Sequence, residues 1–313
     1  MPDISLSPSP LVIGGIAALI SALLWAISAI IFRNLGKSIP PLELNLVKGC
    51  LAVGLMIVTT LVLREHSLQM PIATLVLLIV SGAVGVGIGD TAYFESLNHL
   101  GSRFALLLGM LAPPLTGAFA WMFMGEKISI TGWLGIVITI AGVAWVISEE
   151  QTSEDKMQIN YKQGIKFAVI AALAQAIGAV ISRYTMTAPG VTISALQTAI
   201  IRLLAGIVYL SVLIIFSKKS AFIWLRKDEA GQRASTWKLM RMVALVGLLG
   251  TYSAVWLQQV SIQFAPVAIA QTLLSTSPLF ILPIIALRGE KLSFRAVGGV
   301  IVSLAGIILL FSQ

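Results

Sequence analysis

Charge is scarce in this 313-residue chain: Asp, Glu, Lys and Arg make up 11% of it, against 58% hydrophobic residues. A soluble domain carries roughly 25% charged residues, so an ordinary water-facing surface is excluded. Cysteine is nearly absent. The single residue, Cys50, rules out an intrachain disulfide and, lying in an apolar run, is expected to be a packed, inert thiol. Only two histidines occur, His66 and His99, both near loops and without clustered ligand spacing, so no metal site is expected. Gly36-Lys37-Ser38 has Ile31 where a phosphate-binding loop requires its first glycine. There is no nucleophile elbow. The chain is therefore expected to be neither an ATPase nor any other enzyme, and to need no cofactor.

What is present is long apolar sequence, with a mean hydropathy of +0.96. Runs of about 20 apolar residues recur, the length an α-helix needs to cross about 30 Å of hydrocarbon. Backbone groups in lipid must be satisfied within the segment, so these runs are helices. They lack the alternation of barrel strands. The spacing predicts ten spans, over 11–33, 42–63, 72–97, 102–123, 128–148, 164–184, 193–216, 239–261, 266–287 and 294–311. The opening MPDISLSPSP has no basic start, so the first span is expected to stay in the membrane as an anchor. The net charge of +8 does not point to nucleic acid, because Lys and Arg lie mainly between the apolar runs.

The chain repeats itself. Gly125-Glu126-Lys127 returns as Gly289-Glu290-Lys291, and Gly135 and Gly142 return as Gly299 and Gly306, all at a constant offset of 164 residues. Pro114 maps to Pro278 at the same offset. Gly14 and Arg33 map to Gly164 and Arg183 at an offset of 150, and Lys48 maps to Arg202 at 154. Each half holds five spans: 11–148 and 164–311, joined by a polar linker over 149–163. An odd number of spans turns the second half over relative to the first. The expected fold is an all-α integral membrane protein of ten helices in two inverted five-helix repeats, a device of secondary transporters that open to either side.

Ten spans, the Gly-Glu-Lys turn after the fourth span of each half, and the Gly-x6-Gly helix that follows resemble the drug/metabolite transporter superfamily, of the EamA type. The segments GDTAYFESLNHLGSRFALLLGMLAPPLTGAFAWMFMGEK and TYSAVWLQQVSIQFAPVAIAQTLLSTSPLFILPIIALRGEK carry the resemblance, which covers nearly the whole chain. It implies transport of a small metabolite such as an amino acid, through a central cavity lined by both halves. The expected partners are a small-molecule substrate, membrane lipid and, for some members, a coupling proton or ion. The smaller multidrug relatives carry a membrane glutamate in their first span, and span 1 here has none.

Charges inside spans are functional candidates by default. Lys48 in span 2 and Asp90 in span 3 are expected at similar depth, able to pair either as a structural bridge or as a gate opened by substrate or proton. Arg202, the repeat partner of Lys48, has no acid in its own half, since Asp90 maps to Ala254. It reads either as a binder of carboxylate or phosphate or as a snorkelling cation. Glu95 is a candidate coupling carboxylate or an interfacial group. Trp25 and Gln175, at matching positions of spans 1 and 6, together with Tyr93, Tyr252, Gln258 and Gln271, are candidates to line a cavity or to bond helices together. Pro113, Pro114 and Pro278 are hinge candidates near mid-span. The glycines of SGAVGVGIGD permit close helix contact.

The expected function is export of an amino-acid-like metabolite by alternating access. The alternatives are a sugar-phosphate or nucleotide-sugar carrier and, from another class, a non-transporting membrane receptor or assembly protein. The expected location is the plasma membrane. Lys and Arg crowd the connections after spans 1, 3, 5, 7 and 9, whereas the opposite side holds only Arg64, Lys127 and Arg183. The charge bias therefore places both termini outside, and the resemblance implies inside.

Overall fold

A computed structural model describes residues 9–35, 39, 41–65, 70–149, 161–216, 233–287 and 294–312. The expected linker lies mostly outside these residues, as does the second Gly-Glu-Lys turn. The helices are α1 (Pro10–Leu35), α2 (Pro41–Val62), α3 (Ile72–Gly82), α4 (Asp90–Gly109), α5 (Ala112–Met124), α6 (Ile130–Glu149), α7 (Tyr161–Thr187), α8 (Ala195–Phe216), α9 (Arg233–Val246), α10 (Ala254–Phe264), α11 (Val267–Leu274), α12 (Ser277–Leu287) and α13 (Phe294–Phe311). Two wide-turn segments interrupt them: π1 (Ala83–Gly89) joins α3 to α4, and π2 (Gly247–Ser253) joins α9 to α10. Among the described residues, ten helical stretches are long and apolar enough to cross a membrane. The protein is a multi-pass membrane protein of two inverted five-span repeats.

The halves interlock. Span 3 (α3, π1 and the start of α4) packs against α7 and α8 of the second half. Span 8 (α9, π2, α10) packs against α1 and α2 of the first. Among the described residues, the Gly-x6-Gly helices, α6 and α13, form the most extensive contact and pack directly on one another. A Cβ on Gly135 would lie 3.0 Å from the Gly306 carbonyl, and one on Gly142 would lie 2.7 Å from the Gly299 carbonyl. Nothing larger than glycine fits, so the backbones touch. This gives the repeat a physical role: the same small-residue stripe, used twice, is an interface between the two halves. The Ser303 hydroxyl, at the repeat position of Thr139, donates to the Gly299 carbonyl at 2.9 Å inside this contact.

Spans 4 and 9 differ from the expectation of a kink within one helix. Each is broken in two. α4 ends at Gly109 and α5 begins at Ala112, with Pro113 in its first turn; α11 ends at Leu274 and α12 begins at Ser277, followed by Pro278. Proline at the start of a helix leaves no intrahelical bond unmade, because N–H groups of the first turn have no partner there. The hinge candidates thus begin helices at matching breaks. Cys50 also corrects the expectation: it is exposed on the outer face of α2 rather than packed. An apolar run does not say which face of its helix turns inward.

The first Gly-Glu-Lys turn ties four elements together. Gly125 adopts φ of +65° and ends α5. The Glu126 carboxylate accepts the Val267 backbone N–H at 3.1 Å, at the start of α11, and pairs with Arg183 Nε at 3.4 Å, near the end of α7. The Arg183 guanidinium donates in turn to the Ile262 carbonyl at 2.8 Å and to the Gln263 carbonyl, in the last turn of α10. Ser129 then caps α6, its hydroxyl accepting the Gly132 N–H at 3.0 Å.

Candidate functional site

The two π-segments sit at one place in the repeat. Ala83–Gly89 maps onto Gly247–Ser253 at the offset of 164. A π-turn widens the helix by one residue and leaves carbonyl oxygens poorly served by their own helix. Partners from the opposite half serve them here. Trp25 of α1 donates its indole N–H to the Gly250 carbonyl at 3.0 Å, and Ser21, one turn earlier, donates to the Ala254 carbonyl at 2.8 Å. Gln175 of α7, the repeat partner of Trp25, donates to the Gly85 carbonyl at 3.4 Å. Ser81 donates to the Gly178 carbonyl at 2.6 Å, holding α3 against α7.

Asp90 is the first residue after π1. Its two oxygens are both engaged by amides: Asn45 of α2 donates to Oδ2 and Gln175 of α7 to Oδ1, each at 3.4 Å. Lys48 of α2 and Arg202 of α8 both interact with it electrostatically. The second half lacks an acid at this position, and the carboxylate of the first half acts on Arg202 through its field, without an ion pair. Asn45 went unnoticed in the sequence. The signal was its spacing, three residues before Lys48 on one helix face, and it is buried. Tyr93, one turn after Asp90, lies within the field of its carboxylate.

Arg202 is 5% exposed, and its Nε is buried without a hydrogen-bond partner. The α3–π1 backbone runs close beside it. A Cβ on Gly82 would lie 2.6 Å from the Arg202 Cα, and one on Gly85 would lie 3.0 Å from Nη2.

The remaining candidates do not join this cluster. Tyr252 in π2 shares a hydrogen bond with Thr59 at 2.7 Å and stacks obliquely near Trp256. Gln258 makes no side-chain hydrogen bond with a described residue, and Gln271 is buried with its Nε2 unpartnered. Gln259, which was not singled out, accepts the Ser182 hydroxyl at 2.6 Å and buries an unpartnered Nε2. Glu95 is half-exposed and lies 4.0 Å from His99 one turn on, so it belongs to the end of its span. No group of three or more metal-ligating side chains occurs among the described residues. A groove of about 830 Å³ along α9, lined by Trp237, Lys238 and Arg241 among others, contains none of the site residues.

Ten apolar spans in two inverted, interlocked halves with a charged cluster between them define a membrane protein of the inverted-repeat transporter class. The chain belongs to the EamA-like transporter family, whose model matches residues 12–148 and again 162–312, within the drug/metabolite transporter superfamily. It is 25% identical over 297 residues to an uncharacterized transporter of Archaeoglobus fulgidus, covering 94% of this chain and 96% of that one. It is 27% identical over 217 residues to Protein LicB of Haemophilus influenzae, covering 66% of this chain and 69% of that one. A solved crystal structure shares the fold, with a TM-score of 0.74, 17% identity and coverage of 95% of both chains.

Proposed function

We propose that the protein is a secondary transporter of the plasma membrane that exports a small, amino-acid-like metabolite by alternating access. The observation that carries this reading is the cluster at the meeting of the halves: one carboxylate, Asp90, bonded by Asn45 and Gln175 and within the field of Lys48 from its own half and Arg202 from the other. Charges of both signs, placed where a helix is interrupted, match a substrate that itself carries both signs. Interlocked inverted halves give two equivalent arrangements of one fold, one open to each side. The broken spans 4 and 9 supply matching points at which helices can bend.

The test is counterflow in proteoliposomes loaded with unlabelled amino acids, with labelled amino acid outside. The expected result is saturable uptake of at least one labelled compound, lost in Asp90→Asn. Labelled compound that fails to exchange in wild type across the amino acids would overturn the substrate class. Exchange that survives intact in Asp90→Asn would remove the cluster from the transport site.

A further inference from the structure

We infer that Arg202 is a receptor for an anionic group, carboxylate or phosphate, on the transported molecule; this rests on the cluster being the transport site. Arg202 stands two turns into α8 and is 5% exposed. A guanidinium presents five N–H donors in a plane, and no described residue accepts a hydrogen bond from it. Its Nε is buried without a partner. Asp90 attracts the charge electrostatically, but no hydrogen bond or ion pair joins the two. The cation is thus drawn toward the cluster while its donors stay unanswered.

The neighbours that pack on this guanidinium are backbone. Gly85 of π1 and Gly178 of α7 flank the guanidinium with backbone alone. A Cβ added to either would stand 3.0 Å and 3.3 Å from Nη2. This contact brings together π1 of the first half with α7 and α8 of the second, so a ligand that reaches the guanidinium stands where both halves meet. Leaving a buried arginine unanswered is costly, and an incoming anion removes that cost through two parallel N–H bonds. The repeat position in the first half is Lys48, a point charge without that fork. The two cations are therefore not equivalent, and anion recognition falls to Arg202.

The experiment uses the purified full-length protein in detergent. Thermal stability and binding are measured with L-leucine, its methyl ester, succinate, glucose 6-phosphate and tetraphenylphosphonium. The expected result is stabilisation by at least one anionic compound and none by the ester. In Arg202→Gln, affinity for that anion should fall about 10- to 100-fold, as for loss of a charged hydrogen-bond pair. The ligand-free Arg202→Gln protein should melt no lower than wild type, because an unanswered buried charge has been removed. Arg202→Lys keeps the charge and loses the fork, and should fall between the two. Gly178→Ala, whose methyl presses on the guanidinium, should weaken the anion alone. Carboxylates or glucose 6-phosphate acting alone would name the anion.

Equal affinity in wild type and Arg202→Gln, with counterflow intact in wild type, overturns this inference and leaves the transport reading standing. An ester that binds as well as the free acid overturns it too. A wild type that neither binds nor exchanges any compound of the series overturns both.

Discussion

The π-segment of span 3 and that of span 8 occupy the same place in the repeat and meet the same kind of neighbour, yet they end differently. Each is held by an N–H from the opposite half, Gln175 to Gly85 in one and Trp25 to Gly250 in the other. Past the turn, the first continues into Asp90, with amides and two cations around it, and the second into Ala254, fully buried. The backbone is nearly two-fold and the chemistry is one-sided. Duplication supplied two inverted copies of one scaffold, and divergence at a few side chains placed the polar cluster on one copy only. The interlocking makes that sufficient: Arg202 lies within the field of the other half's carboxylate.

The comparison can be broken most severely at its charged end. Asp90→Ala removes the carboxylate whose field acts on Lys48 and Arg202 and should lower stability by up to about 3 kcal/mol, the scale for leaving buried charge uncompensated. A thermal melt of the purified protein reads it, and an unchanged melt would mean that the cluster is solvated.

Ala254→Asp gives the second copy an acid at the equivalent position. If the two-fold relation extends to side chains, the new carboxylate competes for Arg202, and anion affinity should drop by about tenfold, or 1.4 kcal/mol. Titration of the anionic ligand checks this, and unaltered affinity would show that the equivalence stops at the backbone.

The uncharged end responds less. Trp25→Phe keeps the ring and removes the indole N–H from the Gly250 carbonyl, at an expected cost of about 1 kcal/mol in thermal stability. Gln175→Met, its counterpart, loses only the 3.4 Å contacts to Gly85 and Asp90 and should cost roughly 0.5 kcal/mol. A Gln175→Met protein that melts well below Trp25→Phe would invert the ranking and make Gln175 the main support of π1.

Much of this architecture was legible from residue order. Lipid requires about 20 apolar residues per helix, so the ten spans stand out by length. A gapless offset of 164 exposes the repeat, and the repeated Gly135, Gly142, Gly299 and Gly306 marked what became the α6–α13 contact. The site was legible only as a set of charges. Lys48, Asp90 and Arg202 stood out because charge in a span is rare, but their mutual placement depends on which helices cross. Asn45 and Gln259 were hidden because a neutral amide in a span draws no notice until burial is known. The π-segments left no clear mark either. A turn with one extra residue needs no special side chain, only outside partners for its carbonyls, and those lie some 90 and 225 residues away in the chain.

Local chemistry therefore determined the medium, the number of spans, their inversion and the short list of charged residues, because hydropathy and repetition are properties of neighbouring residues. Which face of α2 turns outward, and that Arg202 lies in the field of Asp90 across the halves, were decided by tertiary packing. Those features depend on distances between segments, and the packing of two glycines, Gly85 and Gly178, on each other and on a guanidinium is visible only once the helices have met.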